Sequence, residues 1–183
     1  MNCHNTAIPD VVVIEPQVFG DDRGYFFEAF NQARFSAATG CSKAFIQDNQ
    51  SRSARGVLRG LHYQIGENAQ DKLVRVISGE IFDVAVDIRR NSPTYGQWVG
   101  EFLSADNKRQ LWVPVGFAHG FIVTSESAEV LYKITGRYDP QAERSIRWDD
   151  PQLAIDWPRD GQPLLSSKDA QAPAFADAEV FDA

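Results

Sequence analysis

The sequence predicts an all-β domain, a sandwich or barrel of short strands with few helices. Three observations predict it. Apolar and polar residues alternate in runs of strand length, and clusters of Gly, Pro, Asp and Ser separate the runs. Apolar residues at helical spacing are scarce. At 183 residues the chain has room for one domain, read here as a core over about 8–158 followed by a tail over 159–183.

Val11 to Ile14 is a β-branched run stopped by Glu15-Pro16. The stretch from Gly20 to Gly24 reads as a turn, and Tyr25 to Phe30 alternates after it. Asn31 to Thr39 is the one helix with both end signals, Asn31 as cap and Gly40 just beyond. Strands are predicted over Phe45–Ser51, Val57–Gln64 and Lys72–Ile77. Ser78-Gly79-Glu80 reads as a hairpin connection into Ile81–Ile88, apolar at 82, 84, 86 and 88. Gly96–Leu103, Leu111–Val113, Gly120–Thr124, Val130–Thr135 and Ser145–Trp148 complete the strands, and Ser104–Gln110 has room for a helical turn or two. From Gly161 the chain turns Ala-, Asp- and Pro-rich, as a surface-lying tail would.

The 18 Lys and Arg against 25 Asp and Glu leave a net charge of -7. That sign argues against nucleic acid and anionic membranes as partners. No apolar run approaches the roughly 18 residues of a membrane span, and the start lacks a signal-peptide pattern. Two cysteines, Cys3 and Cys41, form no disulfide framework and read as free thiols in a reducing cytoplasm.

Few residues offer chemistry. Of three histidines, His4 sits near the terminus, His62 late in a strand, and His119 where a Gly-punctuated turn enters a strand. Their spacing does not make a metal cluster, so no metal is expected. Arg23, Arg52, Arg55, Arg59, Lys72 and Arg75 are the one basic concentration, a pattern open to phosphate contacts or to plain solvation. Gln47, Asn49 and Ser51 share one strand face, suited to sugar hydroxyls or to water. Tyr132 shares its face with Val130 and Ile134, so its ring points inward. Arg59 and His62 have opposite parity. If both line one pocket, Gly60 should mark a bulge or sharp twist; otherwise Arg59 reaches a ligand around the rim.

Taken in order, several stretches are specific. They are Phe19 to Phe30, Gln47 to Ser51, Gly56 to Gln64, Lys72 to Ile77, Phe82 to Arg89, Pro114 to Phe121, Leu131-Tyr132-Lys133, Glu143-Arg144-Ser145 and Asp156-Trp157-Pro158. With Ile8-Pro9-Asp10 and Lys168-Asp169 at the ends, the chain resembles the dTDP-4-dehydrorhamnose 3,5-epimerase family over nearly its whole length. The resemblance implies an antiparallel jelly-roll (cupin-like) barrel with the active site inside. It also implies a homodimer whose N-terminal segment lies across the partner's site, with no metal or organic cofactor.

It implies further that a dTDP-4-dehydro-6-deoxy-D-glucose is inverted at C3 and C5 through its C4 ketone. On that pattern His62 is the base, Asp169 the carboxylate orienting it, Tyr132 the acid, and Lys72 the stabiliser of the O4 oxyanion. Arg23 and Arg59 match diphosphate contacts; Glu28, Gln47, Asn49, His119, Glu143 and Lys168 match other substrate contacts. Phe19 and Phe26 are placed as apolar faces for the base. Three other readings stand beside this one: a dTDP-sugar epimerase acting at C3 or C5 alone, a metal-dependent cupin, and a non-catalytic carbohydrate-binding barrel.

Overall fold

The computed structural model describes residues 2–182. The strands are β1 (Asn2–Asn5), β2 (Val12–Glu15), β3 (Val18–Asp21), β4 (Gly24–Phe27), β5 (Gln47–Ala54), β6 (Leu58–Gln64) and β7 (Lys72–Ser78). They continue with β8 (Glu80–Asp87), β9 (Trp98–Ser104), β10 (Gln110–Val113), β11 (Phe117–Val123), β12 (Ser127–Ile134) and β13 (Glu143–Ser145). Two helices, α1 (Gln32–Thr39) and α2 (Ser167–Ala170), join them. One sheet runs β1-β2-β10-β7-β12-β5, the facing one β13-β6-β11-β8-β9, and β3-β4 stands apart as a hairpin. The strand pairings within these sheets are antiparallel, and the two facing sheets form a cupin-like jelly roll.

Three apolar layers follow from the alternation. Between the sheets, Val74, Leu111 and Val130 of one meet Ile81, Ala85, Phe117 and Phe121 of the other. Behind the six-stranded sheet, Phe35 of α1 closes over Val12, Ile14, Leu73 and Trp112. Behind the five-stranded sheet, Leu61, Val84, Val86 and Ile122 are covered by Trp148, Trp157, Phe175 and Phe181. Strand β8 is therefore covered on both faces, which explains its nearly unbroken apolar sequence.

Several expectations are corrected. Ser78-Gly79-Glu80 makes no hairpin, because β7 and β8 belong to different sheets and the turn carries the chain across the barrel. Ser104–Gln110 is a turn, with Lys108 at φ 56 and Asn107 capping the Ser104 amide, so no helix winds there. The strand expected over Ser145–Trp148 ends at Ser145. His4, near the terminus, lies in the unpredicted strand β1, with its ring against Glu15. The segment after Gly161 is held down as much as it is exposed. Phe175 is 2% exposed, the Tyr63 hydroxyl donates to the Glu179 carbonyl at 2.5 Å, and Arg144 pairs with Glu179. The helix over Asn31–Thr39 forms as read, with the Asn31 side chain accepting from the Arg34 amide and Gly40 at φ 73.

Candidate active site

The site begins with a register fault. On the β6–β11 ladder His62 opposes His119, while Arg59 opposes Phe121, so three steps on β6 span two on β11. Gly60 sits in this bulge at φ 135, and a Cβ there would lie 2.5 Å from the Gly120 Cα. Only glycine lets the two strands approach so closely. The fault cancels the parity difference: Arg59 and His62 both line one cavity of about 420 Å³ between the sheets. Arg59 is steered by its Nε, which donates to Ser53 Oγ at 3.0 Å.

The cavity has a polar wall on each side. From the six-stranded sheet come Gln47, Asn49 and Ser51 of β5, Lys72 of β7 and Tyr132 of β12. From the five-stranded sheet come Arg59, His62, His119 and Glu143. The row on β5 is prearranged, since the Gln47 amide donates to Asn49 Oδ1 at 2.7 Å. Ser51 Oγ is buried without a hydrogen-bond partner.

His62 meets a carboxylate. Its Nε2 lies 2.5 Å from Asp169 Oδ1, with the His62 side chain 30% exposed and that of Asp169 3%. Ser166, the N-cap of α2, donates to the other oxygen, Asp169 Oδ2, at 2.8 Å and accepts from the Asp169 amide. Burial pushes the Asp169 carboxyl up, but the hydrogen bond and charge of His62 outweigh it and hold it below the ordinary value. An ionised carboxylate at Nε2 holds the proton there and leaves Nδ1 with the lone pair.

Lys72 is buried, its ammonium donating to the His62 carbonyl at 3.0 Å. Burial lowers its pKa to about 8, partly offset by the charges of Asp83 and Glu143. Burial also raises the Tyr132 phenol, against the opposing pull of Arg59, so it stays protonated across the neutral range. His119 is more deeply buried, with Nε2 2.7 Å from Asp83 Oδ1. Desolvation lowers its pKa despite that carboxylate.

At the mouth, Glu143 Oε2 receives the Tyr138 hydroxyl at 3.1 Å and the Lys168 ammonium at 2.5 Å. Tyr138 lines the cavity yet is 57% exposed. Sequence reasoning missed it, along with the clamp that holds its loop. The Gln64 amide donates to the Arg137 carbonyl while its Oε1 accepts from the Asp139 amide, and Gln70 donates to the Gly136 carbonyl. Asp83 and Ser166 were missed as well. The one signal for Asp83 was a carboxylate inside an apolar strand.

A family model described as dTDP-4-dehydrorhamnose 3,5-epimerase matches residues 5–177. The chain belongs to the dTDP-4-dehydrorhamnose 3,5-epimerase family. A relative of that name from Pseudomonas aeruginosa is 64% identical over 181 residues, 99% of either chain. A Legionella pneumophila structure described as a dTDP-6-deoxy-D-glucose-3,5-epimerase in complex with dTDP-4-keto-L-rhamnose is 55% identical. It superposes with a TM-score of 0.93, covering 96% of this chain and 93% of that one. A Streptomyces bikiniensis 3'-monoepimerase in complex with dTDP-quinovose is 34% identical, with a TM-score of 0.89 over 94% of this chain and 87% of that one.

Not every residue expected from the epimerase family meets in this cavity. Arg23, Phe19 and Phe26 lie on the β3-β4 hairpin, where Arg23 grips Asp21 and the two rings are 56% and 71% exposed. Glu28 follows the hairpin and pairs with Arg34. None of the four lines the cavity of its own chain. The basic concentration is dispersed: Arg59 and Lys72 enter the cavity, whereas Arg55 and Arg75 line grooves elsewhere. Among the described residues, no group of three His, Cys, Asp or Glu side chains stands close enough to hold a metal ion. No helix among them is long and apolar enough to cross a membrane.

Proposed function

We propose that this epimerase converts dTDP-4-dehydro-6-deoxy-D-glucose to dTDP-4-dehydro-L-rhamnose, with His62 as base and Tyr132 as acid. One observation carries the assignment: the two side chains enter one cavity from opposing sheets, His62 from β6 and Tyr132 from β12. Inversion needs a base on one face of the sugar ring and an acid on the other. The C4 ketone acidifies the C–H bonds at both C3 and C5. The His62 lone pair takes the proton from carbon, and the C–H electrons move into the ring to leave charge on O4. Lys72 holds that charge, where a fixed cation acts chiefly on the transition state. The Tyr132 hydroxyl then returns a proton to the opposite face, the ketone reforms, and solvent exchange resets both groups.

Arg59 and Lys168 are assigned to the diphosphate end and the mouth, Gln47, Asn49, His119 and Glu143 to the remaining substrate contacts. Arg23, Glu28, Phe19 and Phe26 are assigned to the partner's site in a homodimer. A hairpin that pairs with no other strand and leaves its rings bare supports this reading. A single domain in the cytoplasm completes the proposal, supported by the unpaired thiols Cys3 and Cys41.

Proton NMR of the protein with dTDP-4-dehydro-6-deoxyglucose in heavy water tests the reaction. Deuterium at both C3 and C5 is expected. Label at one carbon alone would instead make this a monoepimerase, the activity named for the Streptomyces bikiniensis structure of the same fold.

A further inference from the structure

Asp83 occupies an inward position of β8, between the core residues Ile81 and Ala85, and its side chain has no solvent exposure. Its Oδ1 meets His119 Nε2, while Oδ2 has no hydrogen-bond partner. A carboxylate with one hydrogen bond inside an apolar layer is unfavourable unless a charge compensates it. Across the cavity wall, Lys72 is nearly as buried and its ammonium makes a single hydrogen bond, to the His62 carbonyl. Each group lacks what the other supplies.

We propose that Asp83 is a positioning residue that serves two site groups at once, keeping the Lys72 ammonium charged and fixing His119 in its Nε2–H tautomer. The proposal rests on Lys72 as the O4 stabiliser. Its consequence for His119 is a lone pair on Nδ1, so the ring accepts from a sugar hydroxyl and does not donate to O4. Lys72 is then left as the cationic donor to the oxyanion. The charged and titratable groups that share the cavity with Lys72 are Arg59, His62 and Tyr63 on β6, His119 on β11, Tyr132 on β12, Tyr138 and Glu143, and Asp83 on β8 acts on it from behind His119. Of these, Asp83 and Glu143 favour the charged ammonium, and Glu143 already holds Lys168.

The test is Asp83→Asn, which keeps the shape and removes the charge. Lys72 is followed by nitrogen NMR of its ammonium, and the His119 tautomer by its ring nitrogen shifts, neither of which needs turnover. The expected result is a Lys72 titration displaced to lower pH by about one unit, with the alkaline limb of kcat moving alongside it. A folded variant whose Lys72 titration stays in place overturns the proposal. If Asn does not fold, Asp83→Ser is titrated with the same two outcomes. Lys72→Met separates the underlying reading: undiminished kcat there would remove Lys72 from the reaction, while the NMR titration still decides what Asp83 does.

Discussion

His62 and His119 face each other across the β6–β11 ladder, and each imidazole closes on a carboxylate of its own. The two pairs differ in depth. The His62 side chain is 30% exposed and reachable by a ligand, whereas that of His119 is 8% exposed. On the proposed mechanism, burial sorts two chemically equal dyads into a base and a contact.

Replacing His62 by Ala is expected to abolish solvent exchange and inversion together, lowering kcat by about 10²–10⁴, the usual worth of a general base. His119→Ala should raise KM more than it lowers kcat. Steady-state rates with deuterium wash-in check both; a His62→Ala enzyme that still exchanges at wild-type rate refutes the assignment.

Tyr132→Phe leaves His62 in place and removes the phenol proposed as the acid. Deuterium should still enter the recovered substrate while the yield of inverted product falls by about 10² or more. Equal loss of the two in a folded variant would count against the phenol as a dedicated acid.

Activity should decline as pH rises through about 8, the value to which burial lowers Lys72. On the proposed role of Lys72, the charged ammonium holds O4 below that pH, and above it the neutral amine no longer does. Lys72→Arg keeps its charge, so the alkaline limb in a kcat–pH profile should move upward. On the acid side, Asp169 is depressed, so its contribution to stability is full above the ordinary value near 3.8 and fades as pH falls through the folded value. Asp169→Asn should flatten that part of a stability–pH curve measured by denaturant melts.

Gly60→Ala forces a Cβ against the Gly120 backbone at a positive φ. A loss of about 1–3 kcal/mol is expected, visible as a lower Tm, together with weaker binding as Arg59 and His62 part. A variant with unchanged Tm and KM would mean that the bulge is not required.

The proposed sharing of sites between the two chains of a homodimer can be counted. Inactive Arg23→Ala and His62→Ala chains, unfolded together and refolded, should regain about a quarter of wild-type activity, because half the dimers are mixed and each holds one intact site. No recovery would place Arg23 in its own chain's site.

Much of this was legible before any coordinates. Most of the strands, α1 with its Asn31 and Gly40 caps, and the β5 polar row follow from local periodicity, whereas β1 and β3 were not read and the run over Tyr25–Phe30 ends as a strand at Phe27. The parity conflict at Arg59 and His62 offered a bulge at Gly60 as one of two outcomes, and the structure has the bulge. Two kinds of feature were not legible. Sheet membership was misread at Gly79, because a tight turn looks alike whether it returns to the same sheet or crosses to another. Asp83 and Gln64 act through partners distant in sequence, and no spacing rule marks such pairs. Asp169 had only its resemblance to speak for it, standing 107 residues from His62.

That separation has a consequence for biosynthesis. The strands that build the cavity are complete by Ser145, yet Asp169, the carboxylate that meets His62, arrives with α2, on a strap pinned by Phe175 and Phe181. A ribosome must deliver nearly the whole message before the dyad closes.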